Sequence, residues 1–441
     1  MIKQILPLTS IVVLRFLGLF IVLPVISLYA NSFNETSAFM IGLAVGGAYL
    51  TQLIFQTPFG ILSDKYNRKV IVLIGLVIFL IGSLICAFAH TIQLLIIGRL
   101  IQGVGAVGGV VSAQVADMVK EEQRTKAMAI MGGGIFASFT LAMVVGPIIG
   151  GSIGAQWLFF LTAFFTLISI FVLYFMVPDS PKLTYSFEST KKDLSKDIFD
   201  KNLWVMNFSS FFEKTLMSLI FVIIPLALVD HFSFSEEELW KIYVPGAMIG
   251  IFAMAPASIL AEKYNKPKLV LFIGIFCFLL AYLFITLADF EKILWIFTFG
   301  ILLFFVGFAM LEPIMQSLTS KYAKAYFRGT ALGNFTTASY VGSFVGGMFG
   351  ALLYHHFGLS VISAIVIISC LLWILMICFI RNPQKQKNIY LPLQENLREK
   401  ISMIENLSGV IECYINESEK ILIIKYNSTL TNEKEIIEKI N

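Results

Sequence analysis

Gly60-Ile-Leu-Ser-Asp64-Lys-Tyr-Asn-Arg68-Lys69 ends an apolar stretch in the first half of the chain, and a close copy recurs in the second half. The copy reads Ser258-Ile-Leu-Ala-Glu262-Lys-Tyr-Asn-Lys266-Pro267 and also ends an apolar stretch. In both segments an acidic residue precedes Lys-Tyr-Asn and a basic residue. Internal repetition of this kind indicates that two parts of a chain share one architecture. We therefore predict that the protein is built from two similar halves.

The amino-acid composition indicates what surrounds these repeats. Of 441 residues, 58% are hydrophobic and only 14% are charged, whereas soluble domains average about 25% charged residues. A soluble globule of this size would have too few polar residues to cover its surface, so we predict a membrane protein. The formal charge of +4 gives no indication of nucleic-acid binding. Charged residues become frequent after residue 385, which predicts a water-soluble tail.

Apolar runs predict twelve transmembrane helices, each near the ~20 residues that a bilayer crossing requires. The runs lie at 7–30, 38–62, 70–89, 91–118, 127–150, 154–177, 203–229, 241–261, 269–288, 292–317, 330–354 and 359–380. Alternate connections are rich in basic residues, among them Lys65, Lys120, Lys191, Lys263, Lys321 and Lys385. Because such residues stay on the cytoplasmic side, we predict a multi-pass protein of a bacterial-type inner (plasma) membrane with both termini in the cytoplasm.

The longest connection divides the spans into two sets. We predict an all-α membrane region with an N-terminal six-helix bundle at 1–180, a cytoplasmic inter-bundle loop at 181–202 and a C-terminal six-helix bundle at 203–382. A polar linker at 383–388 leads to a cytosolic domain at 389–441. Alternating apolar residues there predict a half-buried sheet with one polar face, in a small α+β domain of ferredoxin-like type. Its expected elements are a strand at 389–393, a helix at 394–405, strands at 409–416 and 420–427, and a helix at 431–440.

Several motifs, together with the Gly60–Lys69 segment, resemble the major facilitator superfamily, and within it the YajR-like subgroup of the drug:proton antiporters. They are Arg15-Phe-Leu-Gly-Leu-Phe-Ile-Val-Leu-Pro24, Arg99-Leu-Ile-Gln102-Gly103-Val-Gly105, Gly146-Pro147-Ile-Ile-Gly150-Gly151, Leu311-Glu312-Pro313 and Arg328-Gly-Thr-Ala-Leu-Gly333. The resemblance covers essentially the whole chain. It implies a secondary transporter that exports small amphipathic or drug-like compounds by proton-coupled antiport and alternating access.

The Gly60–Lys69 segment also has a physical interpretation of its own. Gly60 allows close helix approach, and basic residues anchor the following turn at the interface. Asp64 lies at membrane depth and requires cationic partners or a helix N-terminus. In the family this element is a cytoplasmic latch between the bundles, opposite the start of the eleventh span. The matching latch residues are Gly60, Asp64, Arg68, Lys69 and Asp117. The alternative for these residues is loop charge that serves topology alone. Glu262 aligns with Asp64 as a second-half latch, and its alternative role is that of a proton carrier.

Ionisable residues inside the predicted spans are candidates for proton coupling, namely Arg15, Arg99, Glu213 and Glu312. Arginine does not titrate at working pH. Arg99 is therefore expected to bias a neighbouring acid, as the resemblance also implies, or to brace helices, and Arg15 could do the same or reach toward the inner interface. An acid that faces a cavity can exchange protons. Glu312 is the preferred carrier, because Glu213 could form a static ion pair with Lys214.

The segment Gly146-Pro147-Ile-Ile-Gly150-Gly151 predicts a kinked helix with a bare face. Proline removes a backbone hydrogen bond, and the glycines allow tight packing. The resemblance implies a hinge-like interface of antiporters that comprises Gly146, Pro147, Gly150 and Gly151. The alternative is close packing without any role in the direction of transport.

No cofactor, metal site or enzymatic activity is predicted. The 5 cysteines lack metal or redox spacing, and Cys413 is expected to be a small core residue of the tail. The glycines from 103 to 109 lack the Gly-Lys-Ser/Thr ending of an ATP-binding loop. The predicted partners are a small-molecule substrate, protons and the lipid bilayer, with no nucleic acid, and a monomer is expected. Two alternatives stay open: a proton-coupled importer of a nutrient or peptide, and a membrane sensor that uses its cytosolic tail.

Overall fold

The computed structural model describes residues 2–105, 107–178, 185–186, 200–324, 328–381, 386–394 and 400–440, and these are mostly helical. The first half contains α1 (Ile2–Phe20), α2 (Ile26–Asn31), α3 (Ala38–Lys65), α4 (Arg68–Ala87), α5 (Ile92–Val104), α6 (Gly108–Asp117), α7 (Glu121–Ile153) and α8 (Ala155–Met176). The second half contains α9 (Lys201–Phe232), α10 (Trp240–Glu262), α11 (Pro267–Glu291), α12 (Leu294–Tyr322) and α13 (Arg328–Cys378). The predicted loop at 181–202 lies largely outside the described residues. Of the predicted linker at 383–388, residues 383–385 lie outside them too, whereas 386–388 already belong to a strand, so that boundary of the prediction is wrong.

Twelve membrane crossings account for these helices. Among the described residues, 10 helical segments are long and apolar enough to cross a bilayer, with α5 and α6 counted together. Helices α1 and α2 together form one further crossing at the start of the chain. Helix α13 has 51 residues, or roughly 77 Å at 1.5 Å per residue, which is far more than the ~30 Å apolar core of a bilayer. It turns back at Gly358, whose φ of 72° is tolerated because glycine has no Cβ, and so forms two spans.

Two spans that the sequence predicts as continuous helices are interrupted. The first span breaks between α1 and α2, around Pro24, which has no N–H to donate to a helix. The fourth span breaks between α5 and α6, and the carbonyl of Gly105 in this break accepts a hydrogen bond from Arg15 Nε at 3.2 Å. Each break leaves backbone groups inside the first bundle without a partner in their own helix. At the second break, Arg15 of α1 supplies such a partner to the carbonyl of Gly105.

Equivalent contacts stabilise both bundles, as the sequence repeat predicts. A Cβ atom at Gly146 of α7 would lie 2.3 Å from the carbonyl oxygen of Ile21, and one at Gly342 of α13 would lie 2.3 Å from that of Phe211 in α9. The fifth span therefore packs against the first as the eleventh packs against the seventh. Similarly, Lys69 Nζ donates to the carbonyl of Val177 at 2.8 Å and Lys268 Nζ to that of Cys378 at 2.7 Å. Each lysine caps the final helix of its own bundle.

The tail, residues 386–440, follows the predicted order of strands and helices where it is described. It contains β2 (Gln386–Pro392), α14 (Ile401–Glu405), β3 (Val410–Asn416), β4 (Ile421–Asn427) and α15 (Glu433–Ile440), and residues 395–399 of the predicted helix lie outside the described part. One face of the sheet packs its apolar side chains against the helices. Cys413 lies in this core, where burial raises the pKa of its thiol to about 12.

The second face of the tail sheet is also buried, so the prediction of a half-buried sheet is wrong. Ile423 is fully buried and Lys425 is 4% exposed. Burial lowers the pKa of Lys425, while the carboxylate of Glu412 at 3.1 Å opposes that shift.

Gln386 Nε2, in the same sheet, donates to the carbonyl of Lys321 in α12 at 3.0 Å, which places the sheet near the second bundle. The charge of Arg328, at the start of α13, also lowers the pKa of Lys425. We call the side of the membrane region that carries the tail the tail side, and the other the opposite side.

An unpredicted strand completes the sheet. β1 (Tyr185–Ser186) precedes the second bundle in the chain and pairs antiparallel with β3, so the strand order is β1-β3-β4-β2. Strand β3 would otherwise present unpaired backbone groups at a sheet edge. The segment that connects the two bundles is therefore hydrogen-bonded to the tail.

A cross-strand cysteine pair provides a test of this attachment. Tyr185 and Asn416 face each other in the register, and facing Cα atoms of antiparallel strands lie about 4.5–5.5 Å apart, within disulfide range. We expect the double variant Tyr185→Cys and Asn416→Cys to form a disulfide under mild oxidation, detected by mass spectrometry of the linked peptides. The control Tyr185→Cys and Asn427→Cys, with the second cysteine on β4, should stay reduced. Equal cross-linking of both pairs would contradict the register.

Candidate functional site

The two bundles share one hydrophobic core on the opposite side of the membrane region. A Cβ atom at Gly42 of α3 would lie 2.4 Å from the carbonyl oxygen of Met348 in α13, and one at Gly46 would lie 2.9 Å from that of Phe344. One cluster of buried apolar residues includes side chains from both bundles. The close backbone approach leaves no room for a passage on this side.

Aromatic side chains continue the contact toward the middle of the membrane region. Phe139 of α7 lies with its ring centre 5.2 Å from that of Phe308 in α12 and 6.0 Å from that of Phe221 in α9. A hydrogen bond from Gln52 Nε2 to the hydroxyl of Tyr340, 2.8 Å long, also joins α3 to α13. These side chains form the last contacts between the bundles before they separate.

On the tail side the bundles stand apart. A Cβ atom at Gly60, Gly329 or Gly333 would have no heavy atom of the described chain within 4 Å, apart from its chain neighbours and the adjacent turns of its own helix. The tail-side half of the first bundle has a separate hydrophobic core, formed by residues of that bundle alone. Tight packing therefore joins the bundles on the opposite side, whereas these tail-side glycines have open space beside them, and we call the space between the bundles on the tail side the chamber.

Three charged side chains cluster at the wall of this chamber. Lys214 Nζ lies 3.2 Å from Glu213 Oε2, and it donates a hydrogen bond to Glu312 Oε2. It also lies 4.8 Å from the centre of the Phe308 ring. In the sequence Glu213 is the neighbour of Lys214, whereas no cation lies close to Glu312. The fold supplies one because α9 and α12 pack side by side.

The members of this cluster differ in access to the chamber. The side chain of Glu213 is 0% exposed, whereas that of Lys214 is 15% and that of Glu312 is 33% exposed. Glu312 lies one helical turn beyond Phe308, toward the tail side, and residues four apart share a helix face. Because Phe308 contacts the first bundle, Glu312 lies where the bundles begin to separate. Of the two acids, Glu312 is therefore the one accessible from the chamber.

Within the described part of the chain, Arg68 of the predicted latch forms ion pairs with two other latch residues of the first bundle. Arg68 Nη2 lies 3.0 Å from Asp117 Oδ2 and 3.5 Å from Asp64 Oδ1, so these contacts stay within the first bundle. Asp64 is 72% exposed. Glu262, its counterpart in the second half, is exposed at the end of α10. The structure thus places the latch residues together on one bundle, while the start of the eleventh span stands away from them.

The two arginines inside the first bundle have different surroundings. Arg99 Nε donates to the carbonyl of Ala44 at 3.1 Å and Nη1 to Gln102 Oε1 at 2.8 Å, and Gln102 in turn donates to Ser83. Arg99 thus connects α3, α4 and α5. Arg15 makes only the bond to Gly105, and within the described residues neither arginine forms an ion pair with a carboxylate. Neither lies in the cluster around Lys214.

The remaining motif residues lie away from the cluster around Lys214, and some residues that join the two bundles belong to no sequence motif. Gly146, Pro147, Gly150 and Gly151 lie in the opposite-side half of α7, where Gly146 approaches the break in the first span. Gly146 and Gly150 pack against residues of the first bundle. Sequence reasoning did not identify Gln52, Tyr340 or Phe139. Gln52 and Tyr340 are polar residues in apolar runs, which is a weak signal, whereas one phenylalanine among 41 gives none.

Comparison with known proteins agrees with this geometry. The family model described as "Major Facilitator Superfamily" matches residues 8–347 and 301–403. The chain belongs to the Major Facilitator Superfamily. It is 33% identical over 435 residues to the Inner membrane transport protein YajR of Escherichia coli (strain K12), with 97% of this chain and 94% of the relative covered. The predicted superfamily and YajR-like subgroup are thereby confirmed.

More distant members of the superfamily show how far the likeness extends. The chain is 26% identical over 401 residues to the Tetracycline resistance protein, class B, of Escherichia coli, with 85% of this chain and 96% of the relative covered. The crystal structure of a D-xylose-proton symporter superposes with a TM-score of 0.71 at 16% identity, covering 86% of this chain and 98% of that chain. This likeness supports the predicted fold of two six-helix bundles. Members of this superfamily are transporters that lie in a membrane and bind small molecules. Membership therefore makes this chain a membrane transporter of a small molecule.

Proposed function

We propose that this protein is a proton-coupled antiporter that exports small amphipathic or drug-like compounds. The observation that carries the proposal is the cluster of Glu213, Lys214 and Glu312 at the chamber wall, where Glu312 is 33% exposed at membrane depth. Charged groups inside a membrane region are costly and tend to mark ion or proton pathways. The likeness to the Tetracycline resistance protein, class B, supports a drug-like compound as the substrate, and the resemblance of the sequence motifs to drug:proton antiporters supports export as the direction.

The charges of the cluster explain how it would exchange protons. Two carboxylates and one ammonium leave one negative charge uncompensated, and uptake of one proton neutralises the cluster. Glu312 is the accessible carboxylate, so it would take up and release the proton while Lys214 holds both acids in place. A transporter that changes charge in this way can be driven by the membrane potential, at about 2.3 kcal/mol per charge and 100 mV.

Alternating access would connect this chemistry to movement. The present conformer opens toward the tail side, which the basic loops assign to the cytoplasm. In the other conformer, Gly60 would allow α3 to approach the start of α13, and Asp64 would reach the positive helix N-terminus there. Asp64, Arg68, Lys69 and Asp117 would then act as a latch, with Glu262 as its second-half counterpart. Arg99 would hold the first bundle rigid through its bonds to α3 and α5.

Transport in liposomes tests the proposal. Purified protein is reconstituted with a pH-sensitive dye inside, a pH gradient is imposed, and tetracycline or the aromatic acid 2-naphthoate is added as a probe. We expect one of these probes to dissipate the gradient faster than in empty liposomes, with net movement of probe against the proton flux.

The other outcomes separate the alternatives. Movement of a nutrient or peptide together with the proton would identify an importer, and the antiport proposal would be wrong. A protein that moves no probe under any gradient, while its tail binds a ligand, would indicate a sensor.

A further inference from the structure

Arg15 has unused hydrogen-bonding capacity in a buried place. Its side chain is 1% exposed, and Nε bonds to the carbonyl of Gly105. Within the described part of the chain, neither Nη1 nor Nη2 has a hydrogen-bond partner. Its guanidinium lies 5.4 Å from the ring centre of Phe16 and 5.3 Å from that of Phe79. The rings hold the cation in place and leave its two terminal nitrogens without an acceptor.

This arrangement is costly unless it serves a ligand. A buried charge is normally paired or fully hydrogen-bonded, and Arg99 in the same bundle uses two of its three nitrogens. The terminal nitrogens of arginine form a planar fork that matches the two oxygens of a carboxylate. The group that would satisfy Arg15 is therefore an anion that is not part of the described protein.

The surroundings of Arg15 include a residue of the other bundle. Phe16 and Phe79 belong to a small apolar cluster in which Tyr340 of the second bundle also packs. A Cβ atom at Gly108 would lie 3.9 Å from Nη1, an ordinary contact distance, so the two terminal nitrogens are closed off in this conformer and a ligand would reach them when the bundles move. Since Tyr340 belongs to the other bundle, its position relative to Arg15 changes when the bundles move.

We propose that Arg15 is the anion-binding subsite for the substrate, and that the substrate is an organic acid with an aromatic or otherwise apolar body. The carboxylate, or a comparable anionic group, binds Nη1 and Nη2, and the apolar body packs against Phe16 and the neighbouring rings. This inference rests on the proposed transport function and narrows its substrate class. It assigns Arg15 to substrate recognition rather than to proton coupling.

Equilibrium binding to the full-length protein in lipid nanodiscs tests the assignment without any gradient. The probes are 2-naphthoate and its uncharged analogue 2-naphthamide, measured by isothermal titration calorimetry. We expect the wild type to bind the acid about tenfold or more tightly than the amide, since charge-assisted hydrogen bonds are the strong ones. Arg15→Gln should reduce this ratio to within about twofold, and Arg15→Lys, which keeps the charge without the fork, should give an intermediate ratio.

The control Lys268→Gln removes a cation that binds a helix end far from the chamber, and it should keep the wild-type ratio. Equal affinity of the wild type for acid and amide would overturn the proposal, and so would a preference that survives in Arg15→Gln. If Arg15→Gln does not fold, the wild-type ratio and Arg15→Lys still decide. The binding measurement uses no proton gradient, so it can be interpreted even if the protein does not couple transport to protons. Conversely, a missing preference for the acid would not contradict the antiport proposal.

Discussion

Replacing Glu312 by glutamine is expected to reduce transport driven by a pH gradient to the level of empty liposomes. The amide keeps the size of the side chain and accepts a hydrogen bond from Lys214, but it cannot exchange a proton. The cluster is then neutral throughout the cycle, so a potential worth about 2.3 kcal/mol per charge and 100 mV has no changing charge to act on. The measurement is uptake of the probe into liposomes with and without an imposed gradient.

Exchange without a gradient separates loss of coupling from loss of the protein. Glu312→Gln should still exchange labelled for unlabelled probe across the membrane, because binding and bundle movement do not require the proton. The matched control is Glu291→Gln, an exposed acid at the end of α11, which should transport like the wild type. If Glu312→Gln retains gradient-driven uptake, Glu312 is not the carrier.

Replacing Gly42 by valine is expected to shift the protein toward the conformer that is open on the opposite side. The new side chain would overlap the backbone of Met348, since even its Cβ atom would lie 2.4 Å from the carbonyl oxygen. Overpacking costs about 1–3 kcal/mol, which corresponds to a population change of roughly 5- to 150-fold. The other conformer separates α3 from α13 at this point and relieves the overlap.

Electron–electron distance measurements would detect this shift. Spin labels at positions 66 and 329 report the tail side, and labels at positions 37 and 356 report the opposite side. In Gly42→Val the first distance should shorten and the second should lengthen. The matched control is Gly60→Val in the same helix, where a Cβ meets nothing within 4 Å. Gly60→Val should keep the wild-type distances or favour the present conformer. If both variants shortened the tail-side distance and lengthened the opposite-side distance, rocking of the bundles would be contradicted.

Much of the architecture follows from local sequence. Apolar runs of bilayer length predict the spans, because lipid offers no partner to a backbone outside a helix. The repeat around Asp64 and Glu262 predicts two similar halves, and matched contacts at Gly146 and Gly342 agree with it. What local pattern missed were the breaks near Pro24 and Gly105. The strand at Tyr185–Ser186 was also missed, because two residues give no periodicity and their partner strand lies more than 200 residues away.

The site shows where the sequence stops being informative. Glu312 is visible in the sequence as an acid within an apolar run, and that alone marks it as a candidate. Its pairing with Lys214 follows from the packing of α12 on α9, since the two residues are 98 positions apart. The difference in exposure between Glu213 and Glu312 depends on where the bundles separate, which no stretch of sequence records.

The sequence by itself determined that this chain crosses a membrane many times in two related halves and to which superfamily it belongs, because hydrophobic length and motif spacing are local properties. Tertiary structure decided which side is open, which acid faces the chamber and that Arg15 finds no acceptor for its terminal nitrogens among the described residues. These properties depend on distances between residues far apart in the chain, and close packing of helices sets those distances.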